Sequence, residues 1–297
     1  MDYGHSPSFG INIDPDAQDF ASSLALAQQA DRSGLDYFGV QDHPYQPGYL
    51  DVWTMLTYLL ARTDRISGVP DVIDLQLRPP TLVAKAAASL AAMAGGRVQL
   101  GVGGGASAQG VAAMGGVARS GSDMVAFTDE AIQVIRRALR GGAVQLDTVH
   151  HHIAGYQAGP VPPEPIEVWV GSMGPKMLAV TGRSSDGWVC PLNLYVPPGE
   201  VAGRQALIDE AARTAGRDPR EIRRIYNVLG TIGDHRGGRG LIGSAQTWTD
   251  SLTEWTVELG FDTFIFWPTT DPAGQLEIFA NEVIPAVRAK VDEARNA

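Results

Sequence analysis

Short apolar runs alternate with longer amphipathic stretches along almost the whole chain. FGINI, residues 9–13, is short, apolar and β-branched, the pattern of a buried strand. Asp14 and Pro15 then read as the N-cap and first position of a helix running to about Arg32. Phe20, Leu24, Ala27 and Ala30 form its apolar stripe, and Gly34 stops it. Further strands are predicted at residues 35–40, 65–73, 97–102, 166–171, 186–190, 222–232 and 261–267. Helices are predicted at about residues 51–62, 79–96, 127–139, 175–183, 198–215, 245–259 and 273–293.

The rhythm breaks in three places. Residues 103–126 are glycine-rich and weakly periodic, and a long structureless loop in a compact fold is usually functional. Residues 143–165 read as a hairpin or meander, with prolines at 160, 162, 163 and 165. Residues 233–243 are a second glycine-rich, basic loop. Eight strand–helix units in succession imply parallel strands with right-handed crossovers. A closed barrel and an open doubly wound sheet both satisfy that order. The count of eight and the length of 297 residues favour an α/β fold of the (β/α)8 TIM-barrel type, one domain over residues 1–297. The expected active-site face is then the C-terminal ends of the strands.

Composition narrows the functional classes. A hydrophobic content of 44% supplies a large core. The net charge of −10 disfavours phosphate backbones and anionic lipid, so neither a nucleic acid nor a membrane surface is an expected partner. Cys190 is the only cysteine, which excludes an internal disulfide and a cysteine-based metal site. No apolar run reaches about 18 residues, so no spanning helix is expected. Residues 1–9 have neither a charged n-region nor an apolar h-region, and a cytoplasmic location is the expectation.

Several residues fall on the expected active-site face. Asp42 and His43 directly follow the second strand, and histidine is the side chain whose ordinary pKa suits proton handling near neutrality. The competing reading is a helix-capping Asp and a solvent-facing His. Asp71 and Val72 end the third strand, where a buried Asp71 would need hydrogen-bond partners. Gly103, Gly104 and Gly105 follow the fourth strand and would let backbone approach a ligand closely, and Gln109, just beyond, is a further candidate to hold a cofactor. Gly171, Ser172, Met173, Gly174, Pro175 and Lys176 join the fifth strand to its helix. With proline in the first helical position, the free N–H groups there make an anion site. Lys176 and Arg183 could add positive charge. Asn193 and Tyr195 could line a substrate pocket, while Trp188 and Trp267 read as core. His150, His151 and His152 cannot all converge on a metal, because successive strand residues face opposite ways, and they read as an exposed hairpin. Residues 237–240 could hold a coenzyme tail, but a solvated loop is the preferred reading.

Four segments, in order and over roughly the whole chain, resemble the luciferase-like family of oxidoreductases. They are GLDYFGVQDHPYQPGYLDVWTMLTYLLARTDRI (residues 34–66), RPPTLVAKAAASLAAMAGGRVQLGVGGG (78–105), VWVGSMGPKMLAVTGRSSDGWV (168–189) and GFDTFIFWP (260–268). The resemblance implies a (β/α)8 barrel with an insertion after strand four, which matches the break at 103–126. It implies FMN or the deazaflavin F420 as coenzyme. It places a catalytic or cofactor-facing histidine at His43, beside Asp42, and a non-prolyl cis peptide at Asp71–Val72, behind the coenzyme ring. A ring N–H is then a candidate partner for Asp71. The coenzyme phosphate falls at Ser172–Lys176. Some sugar-phosphate dehydrogenases of the family carry a glutamate where this chain has Ala106, which argues against a sugar-phosphate substrate. Asp42–His43 and the Gly-Pro-Lys turn look more like the deazaflavin members. The reading is therefore an F420-dependent oxidoreductase that passes a hydride to or from a small-molecule substrate. The alternatives are a two-component monooxygenase fed with reduced FMN by a separate reductase, and a non-catalytic flavin-binding barrel. Family barrels often pair through helices beside strands two and three, so a homodimer is expected.

Overall fold

The computed structural model describes residues 1–233 and 238–297. Its centre is a ring of parallel strands: β1 (Ser8–Asn12), β2 (Tyr37–Val40), β3 (Ser67–Pro70, resumed at Ile73–Asp74), β4 (Leu100–Gly103), β5 (Val168–Gly171), β6 (Gly187–Cys190), β7 (Arg223–Ile232) and β8 (Thr263–Pro268). The hydrogen-bonded order runs β3-β2-β1-β8-β7-β6-β5-β4 and returns to the second half of β3. That strand changes partners midway. Ser67–Pro70 pairs with β2, and Ile73–Asp74 pairs with β4. The exchange of neighbours closes the barrel, so the closed alternative expected from the strand count is the one adopted.

Among the described residues, eight helices of nine residues or more surround the strands: α1 (Phe20–Arg32), α2 (Val52–Leu60), α3 (Pro80–Met93), α4 (Gly121–Leu139), α5 (Pro175–Ser184), α6 (Val201–Thr214), α7 (Ala245–Val257) and α8 (Ile284–Asn296). Their apolar stripes and the outward faces of the strands form one large buried cluster. The barrel interior holds a second, separate one. Val69, Trp169, Val189, Ile225 and Ile265 fill it, with Tyr37, Val72 and Trp267 packed against them. Tyr37 meets Trp169 edge-on, with ring centroids 5.4 Å apart.

The glycines of β4 and β5 answer to this interior packing. A Cβ on Gly103 or Gly171 would fall 2.8 or 2.9 Å from the Val72 side chain, too close for either. A Cβ on Gly101 would run into the Pro70 carbonyl and Val72. Val72 therefore occupies room that only glycine leaves on two neighbouring strands. Sequence reasoning assigned Gly103 to ligand approach; its first constraint is the protein's own packing. Gly104 is likewise pressed by Met124, and Gly105, at φ +91°, by the carboxylate of Asp74.

Boundaries shift where tertiary contacts outweigh local signals. Asp14-Pro15 does not open α1, which starts at Phe20. The Asp14 side chain instead accepts hydrogen bonds from Asn12 and Gln41, and the Pro15 carbonyl accepts one from the Leu50 N–H. β4 begins at Leu100, not Arg97, because the Arg97 guanidinium donates to the carbonyls of Leu60, Thr63 and Ile66. Residues 103–126 are not structureless. They hold a short helix, Ala108–Ala113, capped by Ser107, and the first turn of α4. The predicted last helix is interrupted by a π-helical turn at Phe279–Val283. The expected hairpin is present, pairing Gly142–Asp147 with His152–Ala158 antiparallel. No helix among the described residues is long and apolar enough to cross a membrane.

Gly101→Ala tests the closure. The added methyl must displace strand-three backbone, so we expect a loss of about 1–3 kcal/mol in urea unfolding. An unchanged midpoint would mean that β3 and β4 tolerate separation.

Candidate active site

A cavity of about 430 Å³ opens at the C-terminal ends of the strands. Asp42 and His43 reach it from the end of β2, Asp71 through Asp74 from β3, and Gly103–Gly105 from the end of β4. Gly171–Met173 come from the end of β5, Asn227 from β7 and Trp267 from β8. A larger cavity, about 610 Å³, lies at the opposite end of the barrel among Pro162, Pro163 and Pro165. It contains no histidine, cysteine or serine, so volume alone does not mark the site.

Asp42 is buried, and both carboxylate oxygens are engaged. Arg78 closes on them as a fork, Nε to Oδ2 at 2.9 Å and Nη2 to Oδ1 at 2.8 Å. The Asp74 N–H donates to the same carboxylate at 3.0 Å. Arg78 also reaches Asp51, the N-cap of α2, at 2.6 Å. The loop after β2 is thus bolted to the end of β3 and the start of α2. His43 sits in this loop, partly buried, its Nδ1 2.9 Å from the Tyr45 hydroxyl. Burial lowers its pKa, and the Asp42 charge opposes that only in part. The imidazole is therefore neutral near pH 7, with one nitrogen able to accept a proton. A second cleft, about 420 Å³, shares His43 and Tyr45 and is closed by Ser107, Gln109 and Gly110.

The floor of the cavity is acidic. Asp71 and Val72 are joined by a cis peptide bond. The Asp71 Oδ1 accepts from Asn227 Nδ2 at 3.3 Å, while Asn227 Oδ1 accepts from Trp267 Nε1 at 3.1 Å. The Asp71 Oδ2 is buried without a partner among the described residues. Burial pushes the Asp71 carboxyl up to about 6, against the smaller effect of Asn227. Asp74 is pushed up to about 6 as well, chiefly by burial; the Gln76 N–H lowers it and the Asp42 charge raises it. Its Oδ2 is likewise unpartnered among the described residues.

At the rim, α5 starts at Pro175 with Gly174 as N-cap and no side-chain cap. The first-turn amides of Lys176 and Met177 thus have no acceptor within the helix. Met173, Gly174, Pro175 and Lys176 are exposed. Ser172 turns inward, its Oγ 2.8 Å from Thr181 Oγ1, and its carbonyl accepts from Trp188 Nε1. An orphaned carboxyl oxygen on the floor and free amides on the rim fit a ring bearing N–H groups and an attached phosphate.

The cavity thus unites most of the residues picked from sequence. Gln109 joins them through the neighbouring cleft, and Gly174–Lys176 stand at the rim. Arg183 is tied to Asp129 at 2.8 Å, and Asn193 is paired with the backbone of Leu229. Tyr195 lines the cavity. Trp188 is core, while Trp267, read as core, also faces the cavity. The three histidines do not converge, but only His152 is exposed. His150 bridges Glu130 and Asp123, and His151 is buried against Phe127. Gly237 lies outside the described residues. Sequence reasoning missed Arg78, Asp74 and Asn227. A lone amide in an apolar strand and a second aspartate three residues after Asp71 were the available signals.

Asp71 gives a pH-dependent prediction. Its folded pKa is above its unfolded value of 3.8, so its relative stability contribution is complete below about pH 4 and lost as pH rises through about 6. Asp71→Asn should therefore be more stable than wild type by roughly 2–3 kcal/mol at pH 7.5, with no gain at about pH 4. Urea unfolding at both pH values measures it; a pH-independent difference would contradict the burial argument.

A family model described as luciferase-like monooxygenase matches residues 1–236. A 5,10-methylenetetrahydromethanopterin reductase of Methanolobus tindarius is 34% identical over 221 residues, 72% of this chain and 62% of the relative's length. An F420-dependent glucose-6-phosphate dehydrogenase of Beutenbergia cavernae is 28% identical, over 90% of this chain and 93% of its own. Among solved structures, an F420-dependent secondary alcohol dehydrogenase in complex with an F420-acetone adduct shares the fold. Its TM-score is 0.84 at 20% identity, over 95% of this chain and 99% of that one.

Proposed function

The chain belongs to the luciferase-like monooxygenase family, and from that premise we propose that it is an F420-dependent oxidoreductase acting on a small organic molecule. The observation that carries this reading is the cavity that holds His43 and the Asp71 Oδ2, unpartnered among the described residues, with the uncapped start of α5 just beyond its Met173 wall. The relatives named for F420 support the choice of deazaflavin over FMN. When bound, the reduced deazaflavin supplies a hydride to carbon.

The chain's own residues have separable tasks. The amides of Lys176 and Met177, with the Lys176 ammonium, hold a phosphate at the start of α5. Asp71 and the backbone of Val72, Gly103, Gly104 and Gly105 hold the ring edge, Asp71 with the oxygen that has no other partner among the described residues. His43, neutral near pH 7, would accept the substrate's proton in the oxidising direction and, as the imidazolium so formed, would return it in the reducing direction. Asp42, clamped by Arg78, acts through His43 by fixing the loop that carries it. Gln109 adds to the coenzyme side from the neighbouring cleft, and Tyr195 shapes the substrate side. Ala106 leaves no acid after the β4 glycines, so a sugar phosphate is not the substrate we favour. In this reading residues 1–297 work as one domain, in the cytoplasm, as a homodimer, with a separate enzyme re-reducing the coenzyme.

Purified protein with reduced F420 under nitrogen, offered small ketones, imines and activated alkenes, should oxidise the coenzyme. NADH-linked oxygen uptake with FMN and a partner reductase would overturn the proposal in favour of a monooxygenase. Binding of either coenzyme without turnover would favour a non-catalytic barrel. His43→Ala should cut turnover by about 100-fold or more while F420 affinity, read by fluorescence, stays within a few-fold. An unchanged rate removes His43 from proton transfer.

A further inference from the structure

Asp42 and His43 are consecutive, and a carboxylate next to an imidazole ordinarily stabilises the charged imidazolium. Here the carboxylate is already satisfied. Arg78 gives it two short parallel hydrogen bonds, and the Asp74 N–H gives it a third. Asp42 is almost wholly buried and Arg78 largely so, so little water intervenes to screen the pair. Arg78 is held in turn by Asp51 at the head of α2, which fixes the fork from its far side.

The other groups around His43 do not replace Asp42. Tyr45 and Tyr49 lie beside the ring, with centroids 5.6 and 6.5 Å away, and burial raises the pKa of both, so they stay neutral. Ser107 and Gln109, from the segment after β4, are uncharged. Asp74 and Asp71 face the same cavity from β3, where burial pushes both up to about 6, but of these carboxylates only Asp42 acts on the His43 charge. Asp14 and Asp16 act on Tyr49, from the loop after β1. The charge state of His43 therefore turns on how completely Asp42 is neutralised.

We propose that Arg78 is a positioning residue of the site, which by forking onto Asp42 keeps the neighbouring His43 imidazole neutral and fixed at the cavity wall. A neutral imidazole can take a proton from substrate; an imidazolium held by a free carboxylate cannot. The assignment rests on the reading of His43 as the proton-handling group, but it is tested on the protein without coenzyme.

The measurement is an NMR titration of the His43 ring protons, assigned among the six histidines by the signal missing in His43→Gln. Wild type should titrate below about 6.5. Arg78→Gln frees the Asp42 carboxylate and should move the midpoint up by about 1 pH unit, a tenfold change in proton affinity. The double variant Asp42→Asn/Arg78→Gln should return it to the wild-type value or below. An unmoved midpoint in a folded Arg78→Gln protein overturns the proposal. If that variant does not fold, Asp42→Asn carries the test. It removes the one charge that raises the His43 pKa and should lower the midpoint, and an unchanged midpoint again overturns the idea. F420 fluorescence titrations on the same samples separate the two readings. Loss of F420 binding in wild type would sink the proposed function and leave the Arg78 result standing.

Discussion

The barrel closes through one strand that serves two neighbours. β3 leaves β2 after Pro70 and takes up β4 at Ile73, and the turn between them drives Val72 into space kept open by Gly101, Gly103 and Gly171. Much of the site follows from this change of partner. It presents Asp71 beneath the cavity, Asp74 at its wall and, four residues later, Arg78 within reach of Asp42. A side chain larger than hydrogen on either adjacent strand would press directly on the segment that forms the floor.

Charge at the mouth is managed in two ways. Asp42 stays paired, because Arg78 offers it a planar fork and the backbone a third donor. Asp71 and Asp74 each have one oxygen without a partner among the described residues, and burial pushes both carboxyls up to about 6. Polar groups left unpaired in this way cost stability, and they are tolerated where a ligand can later complete them. Below about pH 6 the region is thus electrostatically quieter than its count of aspartates suggests.

Fold and function stand on different grounds. The barrel is shared with enzymes of diverse chemistry, so it locates the site without naming the reaction. The reaction class rests on the side chains around the cavity and on the F420-dependent relatives together. Ala106, which leaves no acid after the β4 glycines, bears on the substrate rather than on the coenzyme.

The sequence by itself determined the eight strand–helix units, because periodicity and glycine or proline punctuation are local properties of the chain. It also determined the face on which Asp42, His43, Asp71 and Ser172 sit, since each ends a strand. Element ends at Asp14 and Arg97 were not legible, because contacts distant in sequence set them. Tertiary structure alone decided that β3 changes partners, that Gly103 makes room for Val72, and that Arg78 takes the Asp42 carboxylate. Each of these depends on which strands become neighbours, and 36 residues of chain separate Arg78 from Asp42. Local propensity carries no information across that distance; only the closed ring brings the two side chains together.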